Sequence, residues 1–235
     1  MEEALAELER RQVRILQRIR DIELSHLSQR SLPSLSVSSR REDPNGKASA
    51  AASVEARLSS ILRANGVRDF SFKHVASDYY DLPLESRRDA LGASSIHHLC
   101  KSIVLVNTQA PSTVTDCSDR NNSKYYVVVV QYTARFSAET VKNFLYSLND
   151  GKIPKKRINM RLAPEETSHK LTGFEHNAVT CIGMKTDIPV ILDEAIVKLN
   201  PDFFWLGGGD VFLKLGIRTS EFISCVKPFI VSISG

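Results

Sequence analysis

The chain has 235 residues, 42% of them hydrophobic and 25% charged, which suits one well-buried domain with appendages and excludes two large domains. Its net charge of +4 is too small to indicate a general polyanion-binding protein, so a nucleic-acid site requires local clustering of basic residues. No apolar run approaches the roughly 18 residues that span a bilayer and the amino terminus is acidic, so we expect a cytoplasmic protein without membrane association.

Residues 1–30 are predicted to form one amphipathic helix. Its seam positions recur at alternating intervals of three and four residues with one polar interruption: Leu5, Leu8, Gln12, Ile15, Ile19 and Ile22. This pattern is typical of a short coiled coil, which would form a homodimer or bind a protein partner. An amphipathic helix lying on its own domain has the same pattern, since about three heptads is near the lower limit for an independent coil.

Residues 31–53 are predicted to be a flexible linker, because they are rich in Ser, Pro, Gly and Ala and poor in large apolar residues. The domain proper is expected over residues 54–235. Its first elements are a helix at 54–64, ended by Asn65-Gly66, and a helical stretch leading to His97-His98. A short strand is predicted at 102–106.

The strongest strand is predicted at 125–133, because its core of four consecutive valines is apolar on both faces, as in a central strand. A helix over 137–148 follows, with Ser137 as its cap. The remaining predictions are strands at 178–182, 203–206, 211–217 and 229–233, and helices at 191–199 and 220–226. This irregular alternation indicates an α+β (mixed α/β) domain with a mixed, partly antiparallel sheet flanked by helices.

The excess positive charge lies in residues 135–161, which contain seven basic residues against two acidic ones. The best candidates for phosphate contacts lie at the tip of this segment: Lys152, Lys155, Lys156 and Arg157. A solvated loop without a partner, or a nuclear-import signal, has the same charge pattern.

The run Leu206-Gly207-Gly208-Gly209-Asp210 is predicted to be a tight turn between two strands. A phosphate-binding loop would open a helix, whereas the residues after Asp210 alternate as a strand does. The missing Cβ atoms allow another group to approach the backbone closely.

Nucleophilic and metal-dependent chemistry have little support. His97 and Cys100 would share a helical face, but neither a third orienting group nor another ligand lies at a useful spacing. The four cysteines form no C-x-x-C pair. We therefore expect no metal and no cofactor.

Lys101 shares strand parity with Ile103 and Leu105, so its ammonium would emerge at the rim of an apolar face, where a cation can meet a phosphate or ester oxygen. A snorkelling lysine would look the same. The segment 171–183 (LTGFEHNAVTCIG) holds small and hydrogen-bonding residues, including Thr172 and Thr180, that suit the lining of a polar pocket. In that segment Glu175 and His176 are adjacent on the chain, so at most one of them faces the pocket if it is a strand.

Three of these features, in this order, resemble the YbaK/prolyl-tRNA-synthetase-associated family of editing domains. They are the lysine that begins a strand after a helix (98–105, HLCKSIVL), the Thr-Gly segment that ends in glycine (172–183), and the glycine-rich hairpin that leads into 211–216 (VFLKLG). The resemblance covers residues 54–235. Where the family often has a Gly-Gly pair and then a Pro-Pro pair, this chain has Asn177-Ala178 and Thr180-Cys181, so the amino acid that it edits cannot be carried over.

The resemblance implies a trans-editing aminoacyl-tRNA deacylase that hydrolyses the ester of mischarged tRNA with a positioned water, without a metal or a covalent intermediate. Lys101 would correspond to the family's functional lysine, and Gly173 and Gly183 to its pocket-shaping glycines. We expect backbone N–H groups near Gly173–Asn177 and at Gly207, Gly208 and Gly209 to hold the ester, with His176 as a weaker candidate to orient the water. The alternative is a catalytically inactive adaptor that binds tRNA or protein on the same fold.

Overall fold

The structure is a computed structural model that describes residues 44–234, with side chains from Ser53 onward. The predictions for residues 1–30 and for the first part of the linker lie outside the described residues. In the described part no helix is long and apolar enough to cross a membrane.

The main sheet has five strands in the order β4-β2-β3-β5-β8. Their bounds are Cys100–Asn107 (β2), Tyr125–Gln131 (β3), Met160–Leu162 (β4), Val190–Asp193 (β5) and Phe229–Val231 (β8). β2 pairs antiparallel with β3 and β4, whereas β5 pairs parallel with β3 and β8. The sheet is therefore mixed, as the sequence predicted.

β3 is the central strand, and its four valines are fully buried. Val127 and Val129 face one apolar cluster of the core, and Val128 and Val130 face another. This alternation places one valine pair on each side of the sheet, which explains why the strand is apolar on both faces.

The second sheet has three antiparallel strands in the order β1-β7-β6: Phe70–His74 (β1), Leu213–Ile217 (β7) and Phe204–Gly207 (β6). Gly207 ends β6, and Gly208 and Gly209 begin the connection to β7, so the prediction of a strand-to-strand connection is confirmed, although β7 begins at Leu213 rather than at residue 211. This small sheet meets the main sheet near the start of β2, where Leu99 bridges to Trp205.

Within residues 44–234, six α-helices flank the two sheets: Pro44–Ala64 (α1), Leu84–Leu91 (α2), Ala138–Leu148 (α3), Glu165–Thr172 (α4), Glu194–Val197 (α5) and Thr219–Val226 (α6). Leu58 and Leu62 of α1 pack into one core cluster, and Val141 and Leu145 of α3 pack into the other. The Ser137 side chain accepts a hydrogen bond from the Thr140 N–H at the start of α3, which confirms the predicted cap.

Several predicted elements differ from the structure. Residues 178–182 form no strand, because their apolar side chains are buried by tertiary packing while the Ala178 carbonyl binds the Gly209 N–H. The predicted helix at 191–199 is β5 followed by the single turn of α5. The first helix begins at Pro44 rather than at residue 54, within the segment predicted as a linker. The helical stretch predicted before β2 is present as α2 and a short 3₁₀ helix, Ile96–His98. The strands β1 and β4 were not predicted.

Candidate active site

A cavity of about 350 Å³ opens beside the first half of β2, where the two sheets meet. Its walls come from β2, the start of α4, the loop after α4 and the small sheet. The predicted site residues among its lining are Lys101, His176, Asn177 and Gly207. Segments far apart in the chain therefore meet at one hollow.

Lys101 lies on β2 and is half-buried at this cavity. Its Nζ lies 5.7 Å from the centre of the Tyr132 ring, and among the described side chains no carboxylate pairs with it. A cation held against an aromatic ring without a carboxylate is available to an anionic or carbonyl group of a ligand.

The loop after α4 carries His176 and Asn177, both exposed at the cavity. Gly173 ends α4 in the left-handed conformation, with φ of +80°, and its N–H binds the His169 carbonyl. Asn177 also has a positive φ, +64°, a conformation that few non-glycine residues adopt and that Asn adopts more readily than most.

Gly207 lies where the loop crosses the end of β6. A Cβ atom at this position would lie 2.3 Å from the Val179 carbonyl oxygen, so the missing side chain allows the loop backbone to approach. The N–H of Gly208 binds the Leu213 carbonyl, and that of Gly209 binds the Ala178 carbonyl. Both groups are therefore already used inside the protein.

Other predicted site residues lie outside the cavity lining. Thr172 is buried, with its hydroxyl bound to the Ser168 carbonyl and the Phe174 N–H. Thr180 is buried with an unpaired hydroxyl, and Gly183 packs beneath α1, where its carbonyl accepts from Arg57. With Gly173, Gly208 and Gly209, these residues shape the surroundings of the loop and hairpin and do not line the hollow.

Lys214 is a cavity residue that the sequence analysis missed. It is only 4% exposed, and its ammonium donates to the Tyr80 hydroxyl, which in turn donates to the Asn177 carbonyl at 2.6 Å. Burial, with a smaller contribution from the nearby Arg87 guanidinium, lowers the pKa of Lys214 to about 8. The sequence feature that could have identified Lys214 as a cavity residue is its position between two leucines on a predicted strand.

An aromatic cluster surrounds this lysine. Tyr79, Tyr80 and Tyr132 line the cavity, and the Arg87 guanidinium lies 5.6 Å from the centre of each of their rings. Burial raises the pKa of all three phenols, so they remain neutral at physiological pH. They can therefore donate hydrogen bonds but add no negative charge.

Among the described residues that line the cavity, Glu165, at the start of α4, is the one with a carboxylate. The lining thus combines two lysines with one acidic group. Burial raises the pKa of the Cys100 thiol, which keeps it protonated and weakly nucleophilic. Across residues 53–234, no three His, Cys, Asp or Glu side chains are grouped closely enough to hold a metal ion.

The basic tip lies outside the cavity but is connected to it. Lys155, Lys156 and Arg157 form an exposed 3₁₀ turn, and the chain then enters β4. β4 ends at Leu162, which is 68% exposed and belongs to the cavity lining.

Comparisons with known proteins agree with this architecture. A family model described as an aminoacyl-tRNA editing domain matches residues 89–223. No curated protein sequence matches the chain.

Three solved structures share the fold. The first, of a protein assigned as a trans-editing enzyme for prolyl tRNA synthetase, has a TM-score of 0.60 at 17% identity and covers 77% of this chain and 97% of its own. A computationally designed epitope scaffold has a TM-score of 0.58 at 15% identity and covers 77% and 97%. The hypothetical protein APE2540 has a TM-score of 0.56 at 15% identity and covers 76% and 99%.

Proposed function

The chain belongs to the aminoacyl-tRNA editing domain family, and from this premise we propose that it is a trans-acting deacylase that hydrolyses the ester of mischarged tRNA. One observation carries the proposal: Lys101, the 176–177 loop and Gly207 meet at a single cavity that also contains a second lysine. The aminoacyl end of a tRNA has the matching groups, namely a phosphate, an ester carbonyl and an α-ammonium.

Hydrolysis at this site needs no protein nucleophile, since an aminoacyl ester is already activated. The oxygen of a positioned water bonds to the acyl carbon and the carbonyl oxygen gains negative charge. The carbonyl then re-forms as the bond to the ribose oxygen breaks, and that oxygen takes the proton that the attacking water releases. Lys101 fixes the terminal phosphate or ester oxygen by its charge. His176 or the tRNA's own ribose hydroxyl orients the water.

The tRNA body is proposed to contact the basic tip. Lys152, Lys155, Lys156 and Arg157 are exposed, and the segment that carries them leads directly to the cavity rim through β4. Backbone phosphates along this path would place the 3′ end at Lys101. Residues 1–30 remain proposed as a helix that recruits a partner or a second copy.

A panel of alanyl-, seryl-, cysteinyl- and threonyl-tRNAs tests the activity. We expect at least one ester to be cleaved faster than in buffer, and Lys101→Ala to lose most of that rate. Cleavage of no ester, or full activity of Lys101→Ala, would reject the enzymatic role. Tight binding of these tRNAs without cleavage would instead support an inactive adaptor, the second candidate on this fold.

A further inference from the structure

The backbone of β2 has an open edge inside the cavity. The Tyr132 N–H donates to the Leu99 carbonyl, and the Asn107 N–H donates to the Lys124 carbonyl. In an antiparallel ladder such pairs recur at every second residue, so the odd-numbered residues of β2 bond to β3. The even-numbered residues, including Ser102, direct their N–H and C=O groups to the opposite edge.

β4 covers only part of that edge. It pairs with Leu105–Asn107, and one further bond joins the Ala163 N–H to the Val104 carbonyl at 2.8 Å. The same register would bring residue 165 opposite Ser102. The chain leaves the ladder at Pro164 to begin α4, so β4 provides no partner for the Ser102 backbone groups.

β6 approaches the same edge of β2, but its pairing there is the isolated bridge between Leu99 and Trp205. Among the described residues neither β4 nor β6 therefore forms a ladder pair with Ser102, and its backbone donor and acceptor lie beside the cavity. Both Ser102 and Glu165 line that cavity, and Lys101 is the neighbour of Ser102 in β2. An α-aminoacyl ester carries an ammonium and a carbonyl on the same carbon framework as a peptide residue. It can thus form the paired hydrogen bonds that one residue forms with its antiparallel partner.

We propose, on the basis of the function proposed above, that the aminoacyl group binds as a one-residue strand against Ser102. The α-ammonium donates to the Ser102 carbonyl, with Glu165 on the same side of the cavity. The ester carbonyl accepts from the Ser102 N–H, which then stabilises the negative charge that develops on this oxygen during attack by water. Lys101, next along the strand, is left for the terminal nucleotide.

This arrangement also determines where the amino acid side chain lies. Side chains of directly paired residues share one face of a sheet, so the substrate side chain lies on the face of the Ser102 side chain. The Ser102 hydroxyl is 4.0 Å from the Cys181 sulfur, and the neighbouring cavity residues Val104, Val179 and Leu206 are apolar. The pocket therefore favours a small side chain with little charge.

Matched substrates test the recognition of the α-ammonium. Alanyl-tRNA carries an α-ammonium where lactyl-tRNA carries an α-hydroxyl, and the two are otherwise the same. To correct for the different reactivity of the two esters, the enzymatic rate for each ester is divided by its hydrolysis rate in buffer. We expect kcat/KM for the lactyl ester to fall about tenfold to a hundredfold, the usual range for one charged hydrogen bond. Equal ratios for the two esters would overturn the proposal.

A binding measurement separates this inference from the deacylase activity. The probe is 3′-deoxy-3′-(L-alanylamino)adenosine, whose amide replaces the labile ester, and the readout is the amide proton of Ser102 in ¹⁵N-resolved spectra. We expect a downfield shift of this proton, lost with the lactyl analogue. An unmoved Ser102 signal, or no binding at millimolar probe, overturns the proposal. A shifted signal without hydrolysis of any ester would retain this site and reject the enzyme.

Ser102→Pro provides a third test, because it removes the N–H at an edge where no ladder bond is lost. We expect it to lose at least tenfold more activity than Ser102→Ala, which keeps both backbone groups. Thermal unfolding of both variants checks that the sheet is intact, and equal losses in two folded variants would contradict a role of the backbone.

Discussion

Lys214 donates a hydrogen bond to the Tyr80 hydroxyl inside the cavity, and this hydroxyl donates a hydrogen bond to the Asn177 carbonyl. The Lys214 ammonium lies 4.3 Å from the centre of the Tyr80 ring, so the phenol is held by its face as well as by its hydroxyl. The two residues thereby help to hold Asn177 in its left-handed backbone conformation.

Tyr80→Phe should therefore lower deacylation without unfolding the protein. The variant loses the bond to Asn177, and we expect kcat to fall about fivefold with a smaller change in KM, because a hydrogen bond of this kind contributes about 1 kcal/mol to holding the loop. Tyr146→Phe, on α3 outside the cavity, is the matched control and should keep its activity. Equal kinetics for Tyr80→Phe and the wild type would show that the loop needs no such support.

Lys214→Met should stabilise the protein at neutral pH. Burial lowers the pKa of Lys214 from 10.5 to about 8, so keeping the ammonium charged in the folded state costs at most about 3 kcal/mol. Below pH 8 the lysine is charged in both the folded and unfolded states, and this cost is fully present. Between about pH 8 and 10.5 only the unfolded state keeps the proton, so the wild type gains stability as pH rises.

Urea unfolding at several pH values measures this effect. The advantage of Lys214→Met in the free energy of unfolding should be largest at pH 7 and should shrink toward pH 10. Arg87, Tyr79, Tyr80 and Asp210 face the same ammonium, and the raised phenol pKa values keep the two tyrosines neutral across this range. An advantage that does not depend on pH would assign the effect to packing alone.

Much of the sheet could be predicted because its signals are local. The four valines of β3 and the Ser137 cap each determine structure within a few residues, and both predictions are confirmed. Residues 178–182 have the composition of a strand as well, but they are buried by α1 and by the hairpin. The apolar composition of this segment predicts that its side chains are buried, but it does not predict which backbone groups form hydrogen bonds with one another.

The cavity could be predicted only in part. Lys101 and Gly207 were identified from the chain, since a lone cation at a strand start and a run of glycines are visible in one segment. Lys214 alternates with Leu213 and Leu215 on β7, a pattern that is typical of a lysine on a solvent-exposed face of a strand. That face is covered by Tyr79 and Tyr80. Tyr80 and Lys214 are 134 residues apart in the chain, so the sequence around either residue does not predict their contact.

Gly207→Ala should damage both folding and activity. Its Cβ would lie 2.3 Å from the Val179 oxygen and 3.1 Å from the Ala178 oxygen, so the loop backbone must move away from β6. We expect a loss of about 1–3 kcal/mol in the free energy of unfolding and a further loss of kcat/KM in the folded fraction.

Gly66→Ala is the matched control for this substitution. No atom lies within 4 Å of a Cβ at Gly66, and its φ of +81° makes the cost one of backbone conformation alone, about 1 kcal/mol. It lies far from the cavity lining and should keep its activity. If Gly207→Ala behaves like Gly66→Ala in both measurements, the close approach of the loop has no functional consequence.

The basic tip should determine the salt dependence of tRNA binding. Each phosphate contact contributes about 0.7–0.9 to the slope of log affinity against log salt, through the release of condensed cations. Replacing Lys155, Lys156 and Arg157 together by Gln should therefore reduce the slope by about 2–3 and weaken binding at low salt.

A control triple variant separates this contact from net charge. Arg63, Arg68 and Lys198 are equally exposed and lie outside the tip and the cavity lining, so their replacement by Gln removes the same charge elsewhere. Filter binding to one tRNA between 50 and 300 mM KCl gives both slopes. A loss of general charge attraction would reduce the salt slope of both variants equally. Only a larger reduction for the 155–157 variant would indicate that the tRNA contacts the basic tip, from which β4 leads to the cavity rim.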